Sequence, residues 1–485
     1  MGDLRSGGIP EENLMAIIDT SGLKDSQDVA DDELAFLESV RAISIVPEEG
    51  PVPTRKMYDA IFKIFTDKQS LELIMGSYLL LCDLEKIFPR VYLTRSDKCE
   101  PCTSSIDDFV VVPEAWSPFL FGPENVVWER ESTSAYSVGL VDSSKFLLIT
   151  HDVAEALSSL QSMDIKSLGT VLLFQYLVRV IEDDFLPRCA IYKDTEDWTI
   201  LRESLLNQLL GSRRLSFKTL VRDCLCILTG TLNNHGDINH YDQKKSQQNL
   251  PRDICDHDVF MPNAVTELVN ATYASVRTFI SMIMELDTLK NEASMSSRTS
   301  RTDGLRTPLL EIILDELTYS KELLFPFLQG FSEAKWKMEI ILRYIWKYCG
   351  AFSVQTRSST KSLDDRTLGA VLKLFSNEAN SKKAIRKISI QVVLMLLSHG
   401  FQAYNLIQEI RSSLGLYTSS LGISLVSIRG DPSRKPSIVV PMPMGKDFGH
   451  DLGHGPLNYR LIYLYIRTGS TTRIMKILWH ISRRV

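Results

Sequence analysis

The sequence has 485 residues, 44% apolar and 24% charged, with 54 Lys and Arg against 60 Asp and Glu, and eight Cys. At about 150 residues per domain, that length predicts three domains' worth of chain or one elongated array. The composition excludes wholesale disorder, and so few cysteines exclude a disulfide scaffold.

From the N-terminus, residues 1–10 hold no apolar core, so no secretory leader is expected. The first helical patterns fall at residues 11–19 and 31–45. Over residues 54–65, Met57, Ala60, Ile61, Ile64 and Phe65 form one helical stripe, and residues 70–88 continue the pattern. A polar stretch at 94–123 contains a short apolar run at Phe109–Val112. Helices are predicted again at 143–160, 164–185, 197–210 and 216–228, with Pro187 and Gly211 as stop signals. Residues 233–263 read as a loop rich in His, Asn, Gln and Asp. Beyond it come helices at 263–289, 308–319, 321–331, 333–348, 364–375, 382–398 and 401–414, with polar breaks at 291–307 and 352–362. The longest apolar runs, 168–178 and 390–397, are about half a membrane span, so no membrane association is expected.

These elements predict an all-α body with almost no strand before residue 411. Consecutive helices on short loops, without a strict period, suit irregular armadillo- or HEAT-like stacked helical hairpins better than compact bundles. The expected organisation is a helical region at 1–232, a second at 263–410, and a divergent, non-helical tail at 411–485. That tail holds 8 of the 25 Gly and 5 of the 19 Pro, with 11 basic and three acidic residues, leaving −14 on the first 410 residues. An acidic body disfavours broad contact with a phosphate backbone.

Candidate chemical sites are few. Cys99 and Cys102 have CxxC spacing but no second pair within reach; His235, His240, Cys255 and His257 lie over 130 residues on, so two loop thiols are expected rather than a zinc site. Cys224 and Cys226 alternate on a helix and read as core thiols. His450, Asp451 and His454 sit among Gly449, Gly453 and Gly455, which oppose the helix an HxxxH metal pair needs, and the Asp447, Phe448, Gly449 tripeptide lacks its kinase partners. Glu311 and Asp315 are placed on a solvent face near Glu316, opposite Leu310, Ile313, Leu314 and Leu317. Lys382, Lys383, Arg386 and Lys387 form the densest basic cluster of the body, suited to nuclear import or phosphate contact if it is more than a solvated first turn. No phosphate loop, dinucleotide fingerprint or nucleophile elbow occurs. The expectation is therefore no catalytic, cofactor-binding or metal-binding residue.

Several whole segments carry a family resemblance: Leu14 to Ser26, Val46 to Gly50, Glu114 to Phe119, Met284 to Thr288, Arg306 to Tyr319 and Lys335 to Leu342. Over residues 13 to about 410 the chain resembles the plant negative regulators of systemic acquired resistance. That resemblance implies a nuclear, non-enzymatic helical-repeat protein that represses defence genes and tempers DNA-damage and recombination responses. It further implies a regulatory subunit of the structural-maintenance-of-chromosomes (SMC) five/six complex, with other non-SMC and SMC subunits as partners through its helical surface. The alternative reading is a direct nucleic-acid binder using the basic tail.

Overall fold

A computed structural model describes residues 11–18, 26–47, 50–67, 70–94, 108–113, 115–121, 140–158, 164–241, 260–299, 308–319, 321–331, 333–349, 368–376 and 378–421. The expected all-α class holds: sixteen helices and two four-residue strands lie among these residues. The chain divides into two compact units, residues 1–330 and 331–485.

In the first unit, α1 (Glu11–Ile18) packs on α2 (Ser26–Ser44), and α3 (Arg55–Asp67) on α4 (Leu71–Ile87). The α3 stripe buries Met57, Ile61, Ile64 and Phe65 as its spacing predicts, together with Tyr58 and Phe62. Next come β1 (Val91–Thr94) and β2 (Asp108–Val111), antiparallel with Val91 opposite Val111. This hairpin corrects the reading of residues 94–123 as loop alone. The apolar run at 109–112 finds its partner in Val91–Thr94, a segment too short to show alternation.

The centre of the unit is α6 (Ile165–Thr195). Asp164 caps its start, accepting a hydrogen bond from the Ser167 N–H, and Glu196 ends it in the left-handed region at φ 56°. Residues 171–178 are buried without a break, so this stretch is covered on every side, whereas Arg179, Asp183, Leu186 and Lys193 further along the helix reach solvent. Accordingly α3, α4, α5 (Ser143–Ser158), α7 (Trp198–Arg202), α8 (Leu205–Gly211), α10 (Phe260–Met295) and both strands pack on it. The helix passes through Pro187 rather than stopping before it. An interior proline costs about 3 kcal/mol; here the turn beyond it buries Arg188, Cys189, Ile191 and Tyr192, which offsets that loss.

A second layer follows. α9 (Phe217–Tyr241) packs on α5, α10, α11 (Leu309–Tyr319) and α12 (Lys321–Gly330). α9 extends through residue 241, so the stretch read as loop from 233 is helical for its first nine residues. The helix predicted over 197–210 is broken in two, because the Ser204 side chain caps α8 by accepting from the Asn207 N–H at 3.2 Å.

The second unit contains α13 (Ala334–Cys349), α14 (Leu368–Ser376), α15 (Glu378–Ile388) and α16 (Ile390–Leu421). The α13 stripe buries Trp336, Ile340, Ile341, Tyr344 and Ile345. Ser389, at φ 66°, separates α15 from α16, where the sequence predicts one helix over 382–398. α16 then runs unbroken past Gly400 and past residue 411, so the expected helix end at 414 and non-helical start at 411 are both displaced; residues 422–485 lie outside the described residues. A Cβ at Gly400 would sit 3.6 Å from Ile341 and 3.8 Å from Leu368, ordinary packing distances within the unit. By length and composition the 21-residue window Ile390–Ile410 is apolar enough to cross a membrane, longer than the run 390–397 visible in the sequence, but 39% of it is buried within the protein.

One buried ion pair ties α6 to its neighbours. Arg188 Nε donates to Asp184 Oδ1 at 3.1 Å, and the Leu205 N–H, at the start of α8, donates to Asp184 Oδ2 at 2.7 Å. Arg188 also donates to the Ile200 carbonyl at 3.1 Å and lies 5.5 Å over the Phe109 ring, while Arg90 Nε stands 3.6 Å from Asp184. Removing one partner of a buried pair strands the other charge, at about 3–5 kcal/mol. Asp184→Ala is therefore expected to lower the unfolding free energy of the first unit, read from urea denaturation, by that amount; a loss below about 1 kcal/mol would place the pair among weak surface contacts.

Candidate interaction surface

The sequence-derived chemical candidates do not come together. Cys99, Cys102, Cys255, His257, His450, Asp451 and His454 lie outside the described residues, and His235 and His240 fall in the last turns of α9, where only the helix is described. Cys224 is fully buried, its thiol pushed up by burial and then by the Asp223 and Cys226 charges, as befits a core thiol. Cys226 is exposed, which corrects its reading as core: alternation on a helix sends only one of the two inward. Among the described residues, no group of three or more His, Cys, Asp or Glu is placed to hold a metal ion.

The acidic helix α11 is partly as expected. Leu310, Ile313, Leu314 and Leu317 are buried and Asp315 is exposed. Glu316, however, is buried beside α9, with Lys218 Nζ at 3.7 Å and Arg222 Nε at 3.8 Å. The start of α11 is capped from α10, where the Asp287 carboxylate accepts from the Leu309 N–H.

Sequence reasoning missed a polar centre inside the first unit. Tyr176 on α6 donates to Glu85 on α4 at 3.3 Å. Burial, helped by the Asp183 charge, pushes the Glu85 carboxyl up to about 7, against the opposing pull of the Tyr176 hydrogen bond, Arg90 and Arg179. Aromatic rings enclose it: Tyr58 stacks on Trp116 at 5.1 Å, and Phe62 and Phe65 stand 6.4 and 6.2 Å from Tyr176. Trp116 Nε1 donates to Asp59 Oδ1 at 2.7 Å, so the loop segment carrying Trp116 is locked onto α3. Nearby, Gln175 Nε2 donates to Thr272 Oγ1 at 2.9 Å and joins α6 to α10. Glu85 sits among Leu80, Leu81, Cys82 and Leu84, a run that reads as simple core in one dimension.

In the sequence, charge divides with the units. The first unit has 31 basic and 51 acidic residues, a net of −20; the second has 23 and nine, a net of +14. On α15, Lys382, Arg386 and Lys387 are exposed while Ala384 and Ile388 are buried, so the cluster found in the sequence does face solvent. On α16, burial and then the Lys337 charge push His399 down to about 4, against a hydrogen bond with Gln402, and it is neutral at physiological pH. Such an arrangement offers surfaces for charged partners.

Comparison with known proteins matches this chain to two family models, the SNI1 middle domain over residues 90–333 and the SNI1 C-terminal domain over residues 349–428. The second match carries the likeness past residue 410, where sequence reading ended it, and takes in all of α16. The chain is also 39% identical over 399 residues to "Negative regulator of systemic acquired resistance SNI1" of Arabidopsis thaliana, covering 82% of this chain and 83% of that protein. No solved structure matches.

The Glu85 centre makes stability depend on pH. Its folded value, about 7, stands above the ordinary 4.5, so the unfolded chain gives up this proton first. Stability therefore falls as pH rises from about 4.5 to 7 and is level above, a change of roughly 3 kcal/mol. In Glu85→Gln this slope should vanish, with the urea midpoint of wild type falling relative to the variant across that range. Parallel curves from pH 4.5 to 8 would show that no buried proton is held there.

Proposed function

The chain belongs to the SNI1 family, and from that premise we propose that it is a negative regulator of systemic acquired resistance. In this reading it acts as a non-catalytic nuclear scaffold, a regulatory subunit of the SMC five/six complex. It represses defence genes and tempers DNA-damage and recombination responses through the partners it holds. The observation that carries the regulatory part is the 39% identity to the Arabidopsis thaliana protein over most of both chains. The physical support is the all-α architecture, in which inward apolar stripes hold the body while outward faces are free to match other subunits.

A second reading, direct binding of nucleic acid, is favoured by one observation, the +14 charge of residues 331–485 with Lys382, Arg386 and Lys387 exposed on α15. Phosphate neutralisation gives affinity that falls steeply with salt.

Full-length chain purified from plant nuclear extract is expected to retain SMC and non-SMC subunits at 0.15 M salt, and plants lacking it to express defence genes without an inducer. Elution as a lone chain, together with unchanged defence expression, would overturn the scaffold reading. Duplex DNA titrated between 50 and 200 mM salt tests the second reading: a slope reduced by about three in the Lys382, Arg386 and Lys387 to Glu triple variant, or a reduced slope on removal of residues 422–485, supports it, and a slope unchanged in both variants excludes it.

A further inference from the structure

Three guanidinium groups and three acids meet where α4, β1 and α6 converge: Arg90, Arg179 and Arg188 with Glu85, Asp183 and Asp184. Two pairings are fixed. Arg179 Nε lies 3.6 Å from Asp183, and the buried Arg188 donates to Asp184 at 3.1 Å. Asp184 also accepts from the Leu205 N–H at 2.7 Å, so both of its oxygens are engaged. Arg90 is the cation left over. Its Nε is buried 3.6 Å from Asp184, too far for a hydrogen bond, and has no acceptor among the described residues. A buried donor without an acceptor is unfavourable, and the Arg90 side chain, 27% exposed, has room to turn. A second acid stands near it. Glu85, buried on α4 and taking a hydrogen bond from Tyr176, is close enough to feel the Arg90 charge.

We propose that Arg90 is a proton-gated latch between α6 and α4, leaning on Asp184 while Glu85 is protonated and turning to the Glu85 carboxylate once that proton leaves for solvent. Charge count supports the exchange, because a buried charge is stable only when paired. With Glu85 neutral, Arg90 and Arg188 share one carboxylate; with Glu85 ionised, each has its own. The other groups around Glu85 do not compete for the role. Tyr176 of α6 donates to it in both states, and burial keeps that phenol and Tyr58 of α3 protonated. Arg179 is held by Asp183, whose negative charge opposes ionisation of Glu85. Cys82, earlier on α4, is likewise kept a neutral thiol by burial. The change-over is centred near neutrality, because burial above all pushes the Glu85 carboxyl up to about 7. What the latch moves is the hairpin. Arg90 leads into β1, and its carbonyl accepts from the Val112 N–H at 3.0 Å, just beyond β2. Arg188 lies 5.5 Å over the Phe109 ring of β2. The hairpin is therefore tied to α6 through both strands below the change-over and through β2 alone above it.

Hydrogen exchange of the full chain, read by mass spectrometry over residues 108–112 and corrected for intrinsic amide rates, tests the latch. From about pH 5.5 to about pH 8.5, protection of that segment in wild type is expected to fall by on the order of tenfold. Glu85→Gln, which mimics the protonated acid, should hold the acid-side value throughout. Arg90→Met, which can bridge to neither acid, should show the low value at both ends. In urea unfolding, the double-mutant cycle of these two substitutions should give a coupling of about fivefold in the unfolding constant at the alkaline end and none at the acid end. A step in protection that persists in Glu85→Gln or in Arg90→Met overturns the latch, as does a coupling equal at both ends. So does a wild-type hairpin whose protection stays level while Glu85 titrates near neutrality, since the proton would then move without Arg90. None of these outcomes bears on the scaffold reading.

Discussion

A helical stretch buried on every side exists in water only if it is wholly surrounded, and residues 171–178 of α6 impose that requirement on the first unit. These eight residues are buried without a break, so no single neighbour can cover them, while further along the helix Arg179, Asp183, Leu186, Ala190 and Lys193 form a strip open to solvent. The surrounding helices therefore come from far apart in the chain: α3 and α4 before it, α10 well after it. Their own stripes are one-sided, as with α3, and point at α6. The second layer, α9 with α11 and α12, then covers what α5 and α10 leave open.

A buried apolar stretch in an apolar sleeve has little to fix its rotation. The buried polar groups supply that: Asp184 and Arg188 toward α8 and β2, Tyr176 toward α4, Gln175 toward α10. Each is satisfied only when α6 sits in one register. Their value lies in uniqueness more than in net stability, because desolvation consumes much of what such contacts return.

Sequence alone made the fold class and most helix positions legible, since periodicity reports which face is covered. The stripes at Met57, Ile61 and Phe65 and at Trp336, Ile340 and Tyr344 are buried as spacing implies. It failed where tertiary contacts override local signals. Pro187 does not end α6, Gly400 does not break α16, and Ser389 and Ser204 divide helices that read as continuous. β1 and β2 were hidden because pairing, not alternation, makes them strands. Glu85 and Glu316 were illegible for another reason: an acid within an apolar run looks solvated until its partners, 91 residues away for Tyr176 and nearly a hundred for Lys218, are known. The basic cluster at Lys382 was legible because charge density needs no fold. The division of charge between units emerged only with the boundary at residue 330.

Dependence on distant neighbours also has a temporal side. During synthesis α6 is complete at Thr195, yet α10, which covers one of its flanks, begins only at Phe260 and ends at Met295. At ribosomal speeds of about 5–20 residues per second, that flank stays bare for on the order of ten seconds. A nascent chain with so much uncovered Leu, Val and Phe is a natural client for a holding chaperone, and truncation anywhere ahead of α10 would yield a sticky product rather than a smaller folded one.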